Sequence, residues 1–167
     1  MTALVWCLIY MGLLGILSHY VGESLPRSWF SYDAAPFKPY AWERGGKIYE
    51  KFGIRRWKDH MPDMSRVMRD MMPKRLSWGM NVDQIKKLIT ETCVAETIHR
   101  ILCLLSVGIY FIMPTGTGVF LMILYILLCN VPFIMIQRYN RPQLVRLVEK
   151  LEARRERIRD ACADTVV

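Results

Sequence analysis

Two long stretches of this chain lack formal charge altogether. Residues 1–22 contain no Lys, Arg, Asp or Glu, and neither do the 37 residues from 101 to 137. The 23 basic and 15 acidic side chains lie outside them. An ordinary water-soluble cytosolic domain does not segregate its apolar residues in this way. Cysteine is sparse and poorly spaced: Cys7, Cys93, Cys103, Cys129 and Cys162 form no CxxC pair, and three of them fall inside the uncharged stretches. That pattern indicates neither a disulfide framework nor a zinc site. Internal repeats and low-complexity runs are lacking too. The net charge is +8. It flanks apolar segments, which argues against a nucleic-acid module or a disordered basic tail. At 167 residues the chain suits one membrane domain over residues 1–167.

The hydrocarbon core of a bilayer is about 30 Å thick, which a helix crosses in about 20 residues. Residues 2–21 fit one crossing. The 37-residue stretch as a single helix would be roughly 55 Å long and must break. Pro114, Gly116 and Gly118 supply the break. Residues 119–137 then make the third span. Residues 101–113 are too short alone, so the second span extends back to about residue 94 and covers 94–113. That carries Glu96, His99 and Arg100 into its first two turns, at or just inside the interface. The expected fold is an all-α integral membrane protein with three transmembrane helices.

Orientation follows from the basic residues. Residues 22–97 carry 14 Lys and Arg, and the tail from Arg138 carries 8; the N-terminus and the 114–118 loop carry none. A multi-pass protein of the bacterial cytoplasmic membrane, with the N-terminus outside and both basic segments in the cytoplasm, is the expectation. The first span lacks the basic start and small-residue cleavage site of a signal peptide, so a reverse signal-anchor fits better.

The cytoplasmic segment 22–93 holds Trp29, Trp42, Trp57 and Trp78 and should hug the membrane, because indole favours the headgroup level. Three prolines make residues 24–40 irregular, and residues 46–52 suit a short helix. Asn81, with Gln84 three residues on, reads as a helix cap; Ile85, Leu88, Ile89 and Thr92 then share one face. Pro142 reads as the start of a tail helix over 141–160. There Leu144, Leu147, Val148 and Leu151 form an apolar stripe beside Arg146, Lys150, Arg154, Arg155 and Arg157. This is a basic amphipathic helix for an anionic membrane surface, or equally one packed on the protein's own loop.

Glu91, Glu96 and His99 project over one side of their helix: Glu96 lies about 140° from Glu91, with His99 between. Ionisable groups at membrane depth are costly and tend to be functional. A carboxylate beside an imidazole can orient it as a general base for a hydroxyl. The plain alternative is a solvated collar where the helix enters the membrane. Glu96-x-x-His99 also has the spacing of a carboxylate-bridged metal site, but such sites use two such motifs and only one is present, so no metal is expected. The short loop makes the last two spans antiparallel neighbours. Glu96 and His99 should therefore share a depth with Arg138, Asn140 and Arg141. Two arginines beside a base can clamp the phosphates of a coenzyme A thioester or a lipid headgroup. Alone, they also simply obey the positive-inside rule.

Several short blocks together resemble one family. These are Trp42-Glu43-Arg44-Gly45-Gly46-Lys47-Ile48-Tyr49-Glu50, then Trp57-Lys58-Asp59 with Pro62-Asp63, then Glu91-Thr92-x-x-Ala95-Glu96-x-x-His99. The last is Asn130-Val131-Pro132 followed by Gln137-Arg138-Tyr139-Asn140-Arg141-Pro142. In this order they resemble the glycosyl-4,4′-diaponeurosporenoate acyltransferase family, over roughly residues 27–147. The resemblance implies a small bacterial membrane acyltransferase that moves a fatty acyl group to a hydroxyl of a membrane glycolipid, such as a glycosylated carotenoid. The resemblance carries over no catalytic assignment. From the chemistry above, His99 is the expected base and Glu96 its orienting partner, with Arg138, Asn140 and Arg141 on the donor. Trp42, Glu43, Trp57, Lys58 and Asp59 would shape the cytoplasmic mouth, with Glu91 also facing substrate. The expected partners are membrane lipids and an acyl donor, either acyl-CoA or an acyl carrier thioester as co-substrate, with no other cofactor. Two other classes compete: a non-catalytic scaffold subunit of a lipid-modifying complex, and a small membrane methyltransferase.

Overall fold

A computed structural model describes residues 2–61 and 81–164. The Pro62-Asp63 pair and Trp78 lie outside the described residues. No strand occurs among the described residues, and three helices are long and apolar enough to cross a membrane. The protein is an all-α integral membrane protein. Its chain divides into two units: residues Met1–Ser31 with Thr92–Arg138, and residues Tyr32–Glu91 with Tyr139–Val167.

The first unit is the membrane part. Helix α1 (Thr2–Ser24) shows most of its apolar side chains outward, Leu8, Leu13, Ile16 and Leu17 each more than half exposed. Such a surface is stable facing lipid and not facing water. The last carbonyls of a helix need donors. Here Arg27 Nη1 supplies them to Gly22, Glu23 and Leu25 at 2.8–2.9 Å. Helix α3 (Val82–Leu105) is followed after Ser106 by α4 (Val107–Ile112). At that step the Ile109 N–H donates to Ser106 rather than to Leu105, which releases the Leu105 carbonyl. The Tyr10 hydroxyl of α1 takes it at 2.8 Å. Gly108 makes room for that ring, since a Cβ there would overlap the Tyr10 hydroxyl. The freed carbonyl and its tyrosine thus join two spans, as interhelical polar contacts do in lipid.

Residues 113–115 turn the chain, and the Thr115 side chain caps α5 (Gly116–Tyr125) by accepting from Gly118 N–H at 3.3 Å. A Cβ at Gly118 would collide with the Met113 carbonyl, so this tight turn requires glycine. A π-helical turn, Ile126–Asn130, follows and leads directly into α6 (Val131–Asp164). Pro142, expected to open a new helix, instead lies buried inside α6. Its ring has no N–H for the carbonyl four residues earlier, a local loss that flanking packing outweighs.

The second unit has its own small core. Asn81 and Gln84 form a reciprocal cap on α3: the Gln84 N–H donates to Asn81 Oδ1 at 2.8 Å, and the Asn81 N–H to Gln84 Oε1 at 2.9 Å. Beyond it Val82, Ile85, Leu88 and Ile89 are buried against Leu144 and Val148 of α6, with Leu147 and Leu151 partly buried beside them. The apolar stripe of the tail is thereby spent on α3 as far as Leu151. Lys86 and Glu152 bridge the same two helices at 2.7 Å. The stretch expected as a short helix at 46–52 is a 3₁₀ segment, Ala41–Phe52, interrupted by three left-handed residues. Two are Gly45 and Gly46, for which positive φ costs little; Arg44, at φ 51°, is the non-glycine among them.

Candidate active site

Helical spacing puts Glu96, His99 and Arg100 on one side of α3, three and four residues apart. The Glu96 side chain is fully buried. Arg100 Nη2 donates to its Oε1 at 2.5 Å, and Arg138 Nη1 donates to the same oxygen at 2.9 Å. Arg138 is itself buried, its side chain 5% exposed, whereas the Arg100 side chain is 36% exposed. A buried carboxylate is tolerated only when paired and hydrogen-bonded. Two guanidiniums on one carboxylate do that and leave the trio with a net positive charge.

His99 meets a different residue. Its Nδ1 lies 3.1 Å from Oδ1 of Asn130, at the end of the π-helical turn. The imidazole stacks on Phe133, ring centroids 4.7 Å apart and planes within 6°. Asn130 is fully buried, and its Nδ2 donates to the Tyr125 carbonyl at 3.2 Å. Glu96 was expected to orient the imidazole; the group that meets its Nδ1 is Asn130. Sequence reasoning assigned Asn130 no role, although a buried amide in an uncharged 37-residue stretch was a usable signal.

The other expected residues belong to the second unit. Glu43, 1% exposed, accepts from the Tyr40 N–H at 2.7 Å and from the Tyr49 hydroxyl. Trp42 is 61% exposed and stacks nearly parallel on Tyr40. Trp57, in the single turn α2 (Ile54–Trp57), donates from Nε1 to the Phe52 carbonyl at 2.9 Å. Lys58 and Asn140 do come together, Nζ to Oδ1 at 3.3 Å, with the ammonium 5.0 Å from the centre of the Tyr139 ring. Arg55 donates to the Tyr139 hydroxyl at 3.3 Å and pairs with Glu50 at 2.6 Å. The tyrosine and then Glu50 push the Arg55 pKa above its ordinary value. Asp59 is exposed and Glu91 half-buried. Arg141 is 2% exposed; it donates to the Phe37 carbonyl at 2.9 Å, its guanidinium 5.5 Å from that ring's centre. Arg138 and Arg141, three residues apart on one helix, therefore engage different groups: a carboxylate and a loop carbonyl. Among the described residues no three His, Cys, Asp or Glu side chains gather as a metal-ligand set.

An apolar three-span unit with a buried, arginine-paired carboxylate one turn from a histidine is the frame of a membrane enzyme. Comparison with known proteins fits that frame. The family model for glycosyl-4,4′-diaponeurosporenoate acyltransferase matches residues 26–150. Curated proteins of that name from Staphylococcus aureus are similar: strain MRSA252 at 34% identity over 155 residues and strain N315 at 33% over 155 residues. Each match covers 91% of this chain and 92% of the relative. The protein from strain bovine RF122 / ET3-1 is 34% identical over 153 residues, with the same coverage. No solved structure matches the chain. The chain belongs to the glycosyl-4,4′-diaponeurosporenoate acyltransferase family. It is an acyltransferase, and the scaffold and methyltransferase alternatives are set aside.

Proposed function

We propose that this protein transfers a fatty acyl group from a thioester donor to a sugar hydroxyl of a membrane glycolipid, in the first instance a glycosylated carotenoid. The relatives' names support that acceptor class. His99 is the general base. It takes the hydroxyl proton as the oxygen attacks the thioester carbonyl; the C–O bond forms, the C–S bond breaks, and the proton passes to the leaving thiolate. The donor is acyl-CoA or an acyl carrier thioester, and the reaction needs no other cofactor. The Glu96, Arg100 and Arg138 cluster favours the anionic carrier and the charge that develops on the carbonyl oxygen. The distribution of Lys and Arg supports an N-terminus outside the bacterial cytoplasmic membrane, with the basic loop and C-terminus in the cytoplasm, where such donors are found.

The observation that carries this reading is the buried Glu96 carboxylate, held by two arginines one helical turn from His99. A charged cluster inside a membrane helix is expensive to maintain without a role. The test uses purified protein in lipid nanodiscs with labelled acyl-CoA or acyl carrier protein and a glycosylated carotenoid. His99→Ala should lose about 10²–10⁴-fold in rate while remaining folded. Arg100→Ala should act mainly on the KM for the donor. A folded His99→Ala protein with unchanged turnover would show that the base lies elsewhere.

A further inference from the structure

Asn130 is a fully buried amide, and a buried amide must place both of its ends. Its Nδ2 donates to the Tyr125 carbonyl, which can only accept, so the orientation of the amide is fixed. Oδ1 is then the end that meets His99 Nδ1 at 3.1 Å, and an amide oxygen also only accepts. In a neutral imidazole the proton must therefore sit on Nδ1, which puts the basic lone pair on Nε2. Phe133, stacked parallel on the ring, limits its tilt. The π-helical turn sets where the amide stands: the Val131 N–H reaches back five residues to Ile126 rather than four. Such turns recur at functional sites.

We propose that Asn130 is a positioning residue for acyl transfer: it holds His99 in the Nδ1–H tautomer, so that Nε2 receives the proton of the attacking hydroxyl. This rests on His99 being the base. Asn130 itself makes and breaks no bond. Through the C–O-forming, C–S-breaking step it keeps accepting from Nδ1–H, and it stabilises the imidazolium that exists until the thiolate takes the proton. The amide does here what an orienting group does for any catalytic histidine.

Ring-¹⁵N-labelled protein reports the tautomer directly. The chain has three histidines, and His99→Gln assigns the signal of interest. At a pH where the ring is neutral, the wild-type protein should show Nδ1–H at His99, and Asn130→Leu should shift the population toward Nε2–H. In the nanodisc assay Asn130→Leu should lower kcat on the order of 10²-fold with KM little changed. Asn130→Asp, which can still accept from Nδ1–H, should turn over faster than Asn130→Leu. An Nε2–H tautomer in the wild-type protein overturns the proposal without any variant, as does unchanged kcat in Asn130→Leu. A fully active His99→Ala protein would instead overturn the reading on which it rests.

Discussion

Removing Arg138 should damage this protein far more than removing Arg100, although both guanidiniums hold the same oxygen of Glu96. The difference lies in what surrounds each. Glu96 and Arg138 are 0% and 5% exposed, so the pair has little water to fall back on. Taking one partner from a buried pair costs about 3–5 kcal/mol, because the remaining charge is stranded. Arg100 still reaches Glu96 at 2.5 Å in an Arg138→Met protein, which keeps the loss near the lower end, about 3 kcal/mol. Arg100 itself is 36% exposed and so less desolvated by the pair, and buried Arg138 still holds Glu96 in an Arg100→Met protein; about 1 kcal/mol is expected. At about 2–4 °C per kcal/mol for a chain of this size, Arg138→Met should melt about 6–12 °C lower. Cys7 and Cys93 are fully buried and report unfolding through a thiol-reactive dye, in a background from which Cys103, Cys129 and Cys162 have been replaced. Adding Glu96→Gln to Arg138→Met should recover much of the loss, since the stranded charge is gone. Equal melting temperatures for Arg138→Met and Arg100→Met would refute the reasoning. So would a double variant less stable than Arg138→Met alone.

Two further outcomes follow from the membrane unit. Tyr10→Phe removes the donor to the Leu105 carbonyl and should cost about 0.6–1.7 kcal/mol by thermal unfolding in detergent. Gly108→Leu, which drives a side chain into the Tyr10 ring, should cost more, and a neutral Gly108→Leu would show that α1 does not pack there. For topology, a single cysteine at Thr115 should react with an impermeant maleimide from outside intact cells and one at Lys47 should not. The reverse labelling pattern would invert the proposed orientation.

The membrane frame was legible because charge is excluded from spans so completely. Two uncharged stretches and a Pro-Gly-Gly interruption were enough to expect three crossing helices. The Asn81–Gln84 cap was legible for a related reason: it is local, and both partners sit within one turn. What could not be read were the partners at long range. The sequence shows that Glu96, His99 and Asn130 exist. It does not show that Asn130 faces the imidazole, because that depends on the rotational phase of a helix 31 residues away. The same holds for Arg141. A basic residue at a helix end looks solvated until the loop that packs on it is known, and here the Phe37 carbonyl and ring bury it. Pro142 and the break after Ser106 differ from simple expectation in opposite directions. A proline was absorbed by a helix, and a helix broke at Ser106, two residues before Gly108, where the expected span ran on unbroken.

The π-helical turn makes the third span a counting device. A turn closed by bonds five residues apart holds one residue more than the helix on either side. Everything after it is therefore out of step by about 100° with a regular continuation. Leu127 and Leu128 are half exposed within that turn, while Asn130 at its end is fully buried. One residue fewer there would leave every side chain chemically the same and still swing the amide away from the imidazole. The His99–Asn130 contact, and the catalytic role proposed for it, depends on the number of residues in that turn as much as on their kind.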